Sequence, residues 1–154
     1  YHRDPLVPRQ QRFSSYTRSL MKALDVPVWN EWGLRPATVA GTKDIAPLKA
    51  SRDLDELGLL KDVTTFNFHT HLPHYRVTTK DPRRIRVLAQ QPVDLERPHP
   101  FTAAGNKELN ALLWMPPEEK RAGDILLIDS THFTTLFGGT ESLANLWRNL
   151  ARMR

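Results

Sequence analysis

Histidines fall at positions 69, 71 and 74, the first two separated by one residue. On an extended strand that spacing puts the His69 and His71 imidazoles on one face, where they could hold zinc or iron if a carboxylate joined them. The only acid from 64 to 89 is Asp81, in a turn, and Arg76, Arg84 and Arg86 would repel a cation. Surface imidazoles in such company suit stacking on a base or donating to a phosphate. A second group, Asp129-Ser130-Thr131-His132, follows a short apolar run and holds the residue types of a nucleophilic triad. It lacks the G-x-S-x-G turn that exposes a nucleophile, and residues adjacent in sequence rarely converge as a triad must. Gly138-Gly139, ahead of a final helix, could cradle a phosphate, but a simple turn accounts for two glycines more readily. The sequence therefore gives no catalytic residue, no metal site and no cofactor.

The elements that must position these residues are strand-like. Residues 64–89 read as three short runs separated by turns at Pro73 and Pro82. In the first run Phe66, Phe68, Thr70 and Leu72 alternate with Thr65, Asn67, His69 and His71. In the second, 75–80, Tyr75, Val77 and Thr79 alternate with Arg76, Thr78 and Lys80. In the third, Ile85, Val87 and Ala89 alternate with Arg84, Arg86 and Leu88. With the apolar rows inward, the outward face collects His69, His71, Arg76, Lys80, Arg84 and Arg86, with Arg83 in the adjoining turn. Like charges side by side repel, so a face of one sign points to a polyanion that neutralises it. The alternative is a solvated face balanced by acids elsewhere in the chain.

The chain has 154 residues, a net charge of +5, a sequence pI near 9.8, and no cysteine. Disulfides, thiolate metal sites and cysteine nucleophiles are thereby excluded. No apolar run approaches the ~20 residues of a membrane span, so no transmembrane segment is expected. Fifteen arginines against seven lysines favour phosphate or protein-interface contacts, since the guanidinium fork binds oxyanions in two-pronged fashion. Residues 1–12 carry Arg3, Arg9 and Arg12 with Pro5 and Pro8, and read as an extended basic tail. An Arg-rich, acid-poor start also suits what remains after a mitochondrial presequence is cut away.

Residues 13–154 read as a single domain. A helix capped by Ser14 or Ser15 runs to Leu24, with Phe13, Tyr16, Leu20, Met21 and Leu24 on its apolar side. A long irregular connection at 26–50 contains Trp29 and Trp32, candidates for docking on a neighbouring subunit. Residues 51–60 suggest a brief helix, with Asp53 and Glu56 resembling a capping box. Residues 90–100, with Pro92, Pro98 and Pro100, read as a linker. A helix is expected from Thr102 to Trp114, stopped by Pro116-Pro117. Ile125-Leu126-Leu127-Ile128 reads as a strand buried on both faces at the centre of the sheet. A last helix from Thr140 turns Leu143, Leu146, Trp147 and Leu150 inward and Arg148, Arg152 and Arg154 outward.

The expected class is α+β: a small antiparallel meander with a further buried strand, packed by three to four helices, with an extended N-terminal tail. The expected function is a structural, RNA-contacting subunit of a large ribonucleoprotein, with the mitochondrial ribosome as the specific assembly and the matrix as compartment. Its partners would be rRNA and neighbouring protein subunits. Its nucleic-acid-binding residues would be His69, His71, Arg76, Lys80, Arg83, Arg84, Arg86, Arg3, Arg9, Arg12, Arg148 and Arg152. The alternatives are an accessory subunit of a respiratory or ATP-synthase complex, and a small His-dependent enzyme.

Overall fold

The computed structural model describes residues 16–34, 37–44, 46–64, 72–97, 109–128 and 140–153. They form two helices, α1 (Tyr16–Ala23) and α2 (Thr140–Leu150), and six strands: β1 (Val28–Leu34), β2 (Lys49–Ala50), β3 (Leu72–Val77), β4 (Arg86–Gln91), β5 (Leu109–Met115) and β6 (Ile125–Ile128). A four-stranded antiparallel sheet runs β2-β4-β5-β6, and β1 pairs separately with β3.

The expectation of a meander packed by three to four helices is overturned. Among the described residues there are two helices, and strand and coil predominate. Residues 52–54 make one short 3-10 turn in place of a helix. The expected helix through Leu112 and Leu113 is β5, one of the two inner strands of the sheet. Nor do β3 and β4 pair as neighbours of a meander. β3 joins β1, inside the stretch read as irregular, and Pro73 lies within β3 rather than in a turn. Of the first expected strand, residues 65–71 lie outside the described residues, as does the 1–12 tail, and its last residue, Leu72, instead opens β3. β6 is a strand as expected, but it lies at the sheet edge and is half-buried rather than central. β4 likewise runs on to Gln91, into the stretch read as a linker.

The sheet is covered on both sides. Leu59, Leu60, Val63, Leu88, Ala89, Ala111, Leu112, Trp114 and Leu146 form one core, and Ile85, Leu113 and Met115 another. Between β4 and β5 the register is interrupted twice. Leu88 drops out between Val87↔Leu113 and Ala89↔Leu112, and Ala111 drops out before Gln90↔Asn110. Both residues are fully buried in the first core. The extra residues lie on opposite strands, so the pairing beyond them returns to its original alignment.

Residues 52–64 close the first core as a hydrogen-bonded loop. The Asp55 carboxylate accepts from the backbone N–H of Leu59 at 2.9 Å and of Leu60 at 2.7 Å, and the Arg52 guanidinium donates to the Leu60 carbonyl at 2.8 Å. This replaces the capping box expected from Asp53 and Glu56. α2 seals the loop from outside. Asn149 donates to the carbonyls of Leu59 and Lys61, Asn145 donates to that of Asp62, and the Thr64 N–H donates to Ser142 Oγ. Leu143 and Leu146 beneath them are buried. Three polar side chains along one side of α2 thus satisfy backbone carbonyls and one N–H that strand pairing leaves over.

α1 ends in a Schellman turn. Val26 N–H bonds the Met21 carbonyl and Asp25 N–H the Lys22 carbonyl, with Asp25 at φ +50. The apolar side expected to pack inward is partly solvated, for Leu20 and Leu24 are both exposed.

Candidate nucleic-acid interface

The cations expected to share one face are dispersed, because β3 and β4 belong to different sheets. Arg76 lies on β3 opposite Trp29 in register and is exposed. Lys80, beyond the strand end, is exposed and forms no ion pair with another described residue. The next three arginines are answered by the chain's own acids. Arg83 is 89% exposed but held to Asp81 at 3.0 Å. Arg84 is paired at 2.6 Å with Asp25, which the Schellman turn of α1 presents, and lies 3.9 Å from Glu118. Arg86 pairs with Glu56, and its guanidinium lies 4.6 Å from the centre of the Trp114 ring, across from it on β5.

These pairings shift charge locally. Hydrogen bonds from the Arg83 side chain, then from its backbone N–H, hold the Asp81 carboxyl below its ordinary value. The Arg97 backbone N–H, with the Arg97 side chain, does the same for Asp94. Trp114 donates from Nε1 to Asp124 Oδ1 at 2.6 Å, so the indole beneath Arg86 is fixed at both ends. The Arg84–Arg86 stretch is therefore a set of structural ties, with little unbalanced charge left for a polyanion.

Among the described residues, exposed cations stand at Lys22, Lys43, Lys49, Lys61 and Lys120, and also on the outward side of α2 and in the turn just beyond it. Arg148 and Arg152 are exposed, and neither forms an ion pair with a described residue; Arg148 donates to the neighbouring Asn145 Oδ1. Beside them Trp147 is 52% exposed. The sequence periodicity expects Trp147 inward with Leu146. The structure buries Leu146 completely and turns Trp147 outward, since neighbours on a helix are about 100° apart and only one can face the core. Trp147 is the residue of this surface that the periodicity missed; its position one residue past the strict Leu143-Leu146-Leu150 stripe was the available signal.

Trp29 and Trp32 stand on β1, opposite Arg76 and Pro73, in a paired strand rather than an irregular connection. His69, His71, Arg3, Arg9 and Arg12, with the Asp129–His132 group, lie outside the described residues. Among the described residues no three His, Asp or Glu side chains converge as a metal site, and no helix is long and apolar enough to cross a membrane. The sequence matches no family model, and no curated protein or solved structure matches it.

Proposed function

We propose that this chain is a structural, RNA-contacting subunit of a large ribonucleoprotein, with a mitochondrial ribosome as the specific assembly. The observation that carries the reading is α2: Arg148 on the helix and Arg152 in the turn just past its end are exposed beside an element pinned to the core loop by three side chains, and neither forms an ion pair with a described residue. A net charge of +5 and the arginine bias support it. In this reading the chain performs no catalysis. It neutralises phosphates with guanidinium groups on a rigid support, and releases counterions as it does so.

The test is RNA affinity across a salt series. Binding that falls steeply from low to physiological salt is expected, and a flat dependence overturns the proposal. A second reading, an accessory subunit of a respiratory or ATP-synthase complex, is favoured by Leu20 and Leu24 of α1, which leave an apolar surface exposed. Association with membrane-complex subunits that survives nuclease treatment of native extract would select it.

A further inference from the structure

The geometry points to a second copy of this chain as what pairs along the outer edge of β6, so that two four-stranded sheets join into one. This goes beyond the RNA-contacting reading and holds with or without it. The sheet has two edges, and they are built differently. β2, at one edge, has two residues, presents exposed Lys49 and follows closely on Pro47. A very short strand, a lysine and a proline are means by which a sheet edge is kept from pairing with another chain. β6, at the other edge, carries none of them. Its residues are Ile125, Leu126, Leu127 and Ile128, and its register with β5 is unbroken, with no bulge to twist it away. Among the described residues no strand lies on its outer side. Its four side chains are half-buried, whereas their partners Leu112, Leu113, Trp114 and Met115 on β5 are buried. The apolar surface left over lies on both faces of the sheet: Leu126 and Ile128 border the first core, Ile125 and Leu127 the second. A strand added in the plane of the sheet extends both cores at once and takes up the outward backbone groups.

A second copy supplies such a strand in the antiparallel sense. The two-fold axis relating antiparallel neighbours stands perpendicular to the sheet, so each face stays on its own side. Residues directly opposite share a face, so the pairing must centre on a single residue. Centred on Leu126, it sets Ile125 opposite Leu127 of the second copy. Centred on Leu127, it sets Leu126 opposite Ile128 of the second copy. Either way these pairs join leucine or isoleucine to leucine or isoleucine, and no like charges are opposed in them.

The experiment combines sedimentation velocity and hydrogen exchange of the unmodified chain over a concentration series with disulfide trapping. The chain has no cysteine, so a single introduced thiol reports only on its own neighbour. A four-residue edge makes a small interface, so dimers that dissociate on dilution are expected, with the β6 amides exchanging faster as they do. Under mild oxidation Leu126→Cys or Leu127→Cys, whichever lies on the axis, should form a covalent dimer. Directly opposite residues have Cα atoms about 4.5–5.5 Å apart, within reach of a disulfide. Lys49→Cys, on the other edge, should stay a free thiol. Circular dichroism serves as the fold control, and the two measurements on the unmodified chain stand if a variant fails to fold. A monomer at every concentration overturns the inference. Protected β6 amides would then show that another segment of this chain covers the edge, and unprotected ones that the edge stays open. A dimer that neither β6 thiol traps, or that Lys49→Cys traps instead, places the contact elsewhere and overturns it as well.

Discussion

The Arg86 guanidinium lies over the Trp114 ring, 4.6 Å from its centre, while its far end pairs with Glu56. Arg86 is only 23% exposed. Its stem runs along the rim of the core and its charge stays near solvent, a compromise open to a long side chain. Truncation at this position should therefore cost more than the ion pair alone is worth. Arg86→Ala is expected to destabilise by about 1–2 kcal/mol, and Glu56→Gln by less than about 1 kcal/mol, in urea unfolding. Arg86→Lys should fall between, since it keeps the charge and loses the flat fork. Equal losses from Arg86→Ala and Glu56→Gln would show that the carboxylate, and not the ring, holds the arginine.

Asp55 organises the loop that closes the core. One carboxylate accepts two backbone N–H groups, from residues whose side chains are fully buried. Asp55→Ala would leave both donors without their acceptor, at a cost of about 1–3 kcal/mol. Urea unfolding measures it, and hydrogen exchange of the Leu59 and Leu60 amides should accelerate in the same variant.

Two turns carry carboxyls that resist protonation more than an ordinary aspartate does. The Asp81 and Asp94 carboxyls are lowered from the ordinary 3.8 by hydrogen bonds from Arg83 and Arg97. Their contribution to folding is complete above that ordinary value and is lost as pH falls through the lowered native one. Carboxyl-carbon NMR titration should give midpoints below 3.8 for both. Arg83→Ala should raise the Asp81 midpoint toward 3.8 and leave that of Asp94 in place.

Charge removal should separate the two arginine groups. Arg148→Gln with Arg152→Gln is expected to lower RNA affinity and reduce the salt slope by about 1.5, as two lost phosphate contacts would. Arg83→Gln with Arg84→Gln, where the partners Asp81 and Asp25 remain as uncompensated acids, should disturb local stability more than the slope. Anisotropy titrations at several salt concentrations, alongside urea midpoints, check both halves.

α1, β6 and α2 were legible in the sequence because each is short, has distinct breakers at its ends and needs no distant partner to set its period. β5 was not. Leu109, Leu112 and Leu113 stand at helical spacing, and a strand covered on both faces also reads as continuous apolar sequence, so periodicity alone cannot separate the two. β1 was hidden by Gly33, which lies where the register with β3 shifts. The outward face assumed for Arg84 and Arg86 failed for another reason. The alternation was sound locally, but Asp25, Glu56 and Glu118, which take up those charges, come from segments about thirty or more residues away. Contacts at that separation leave no mark on local pattern. Of the arginines expected outward, Arg148 and Arg152 are exposed and Arg154 lies outside the described residues, while Trp147, expected inward, is exposed.

The paired irregularities at Leu88 and Ala111 tie the lengths of β4 and β5 to each other. Loss of one of these residues by itself would shift everything past it by a single step, exchanging interior and exterior along half a strand. Loss of both together would leave the ends aligned. Insertions and deletions in this part of the gene can therefore survive only as matched events on the two strands, some twenty codons apart.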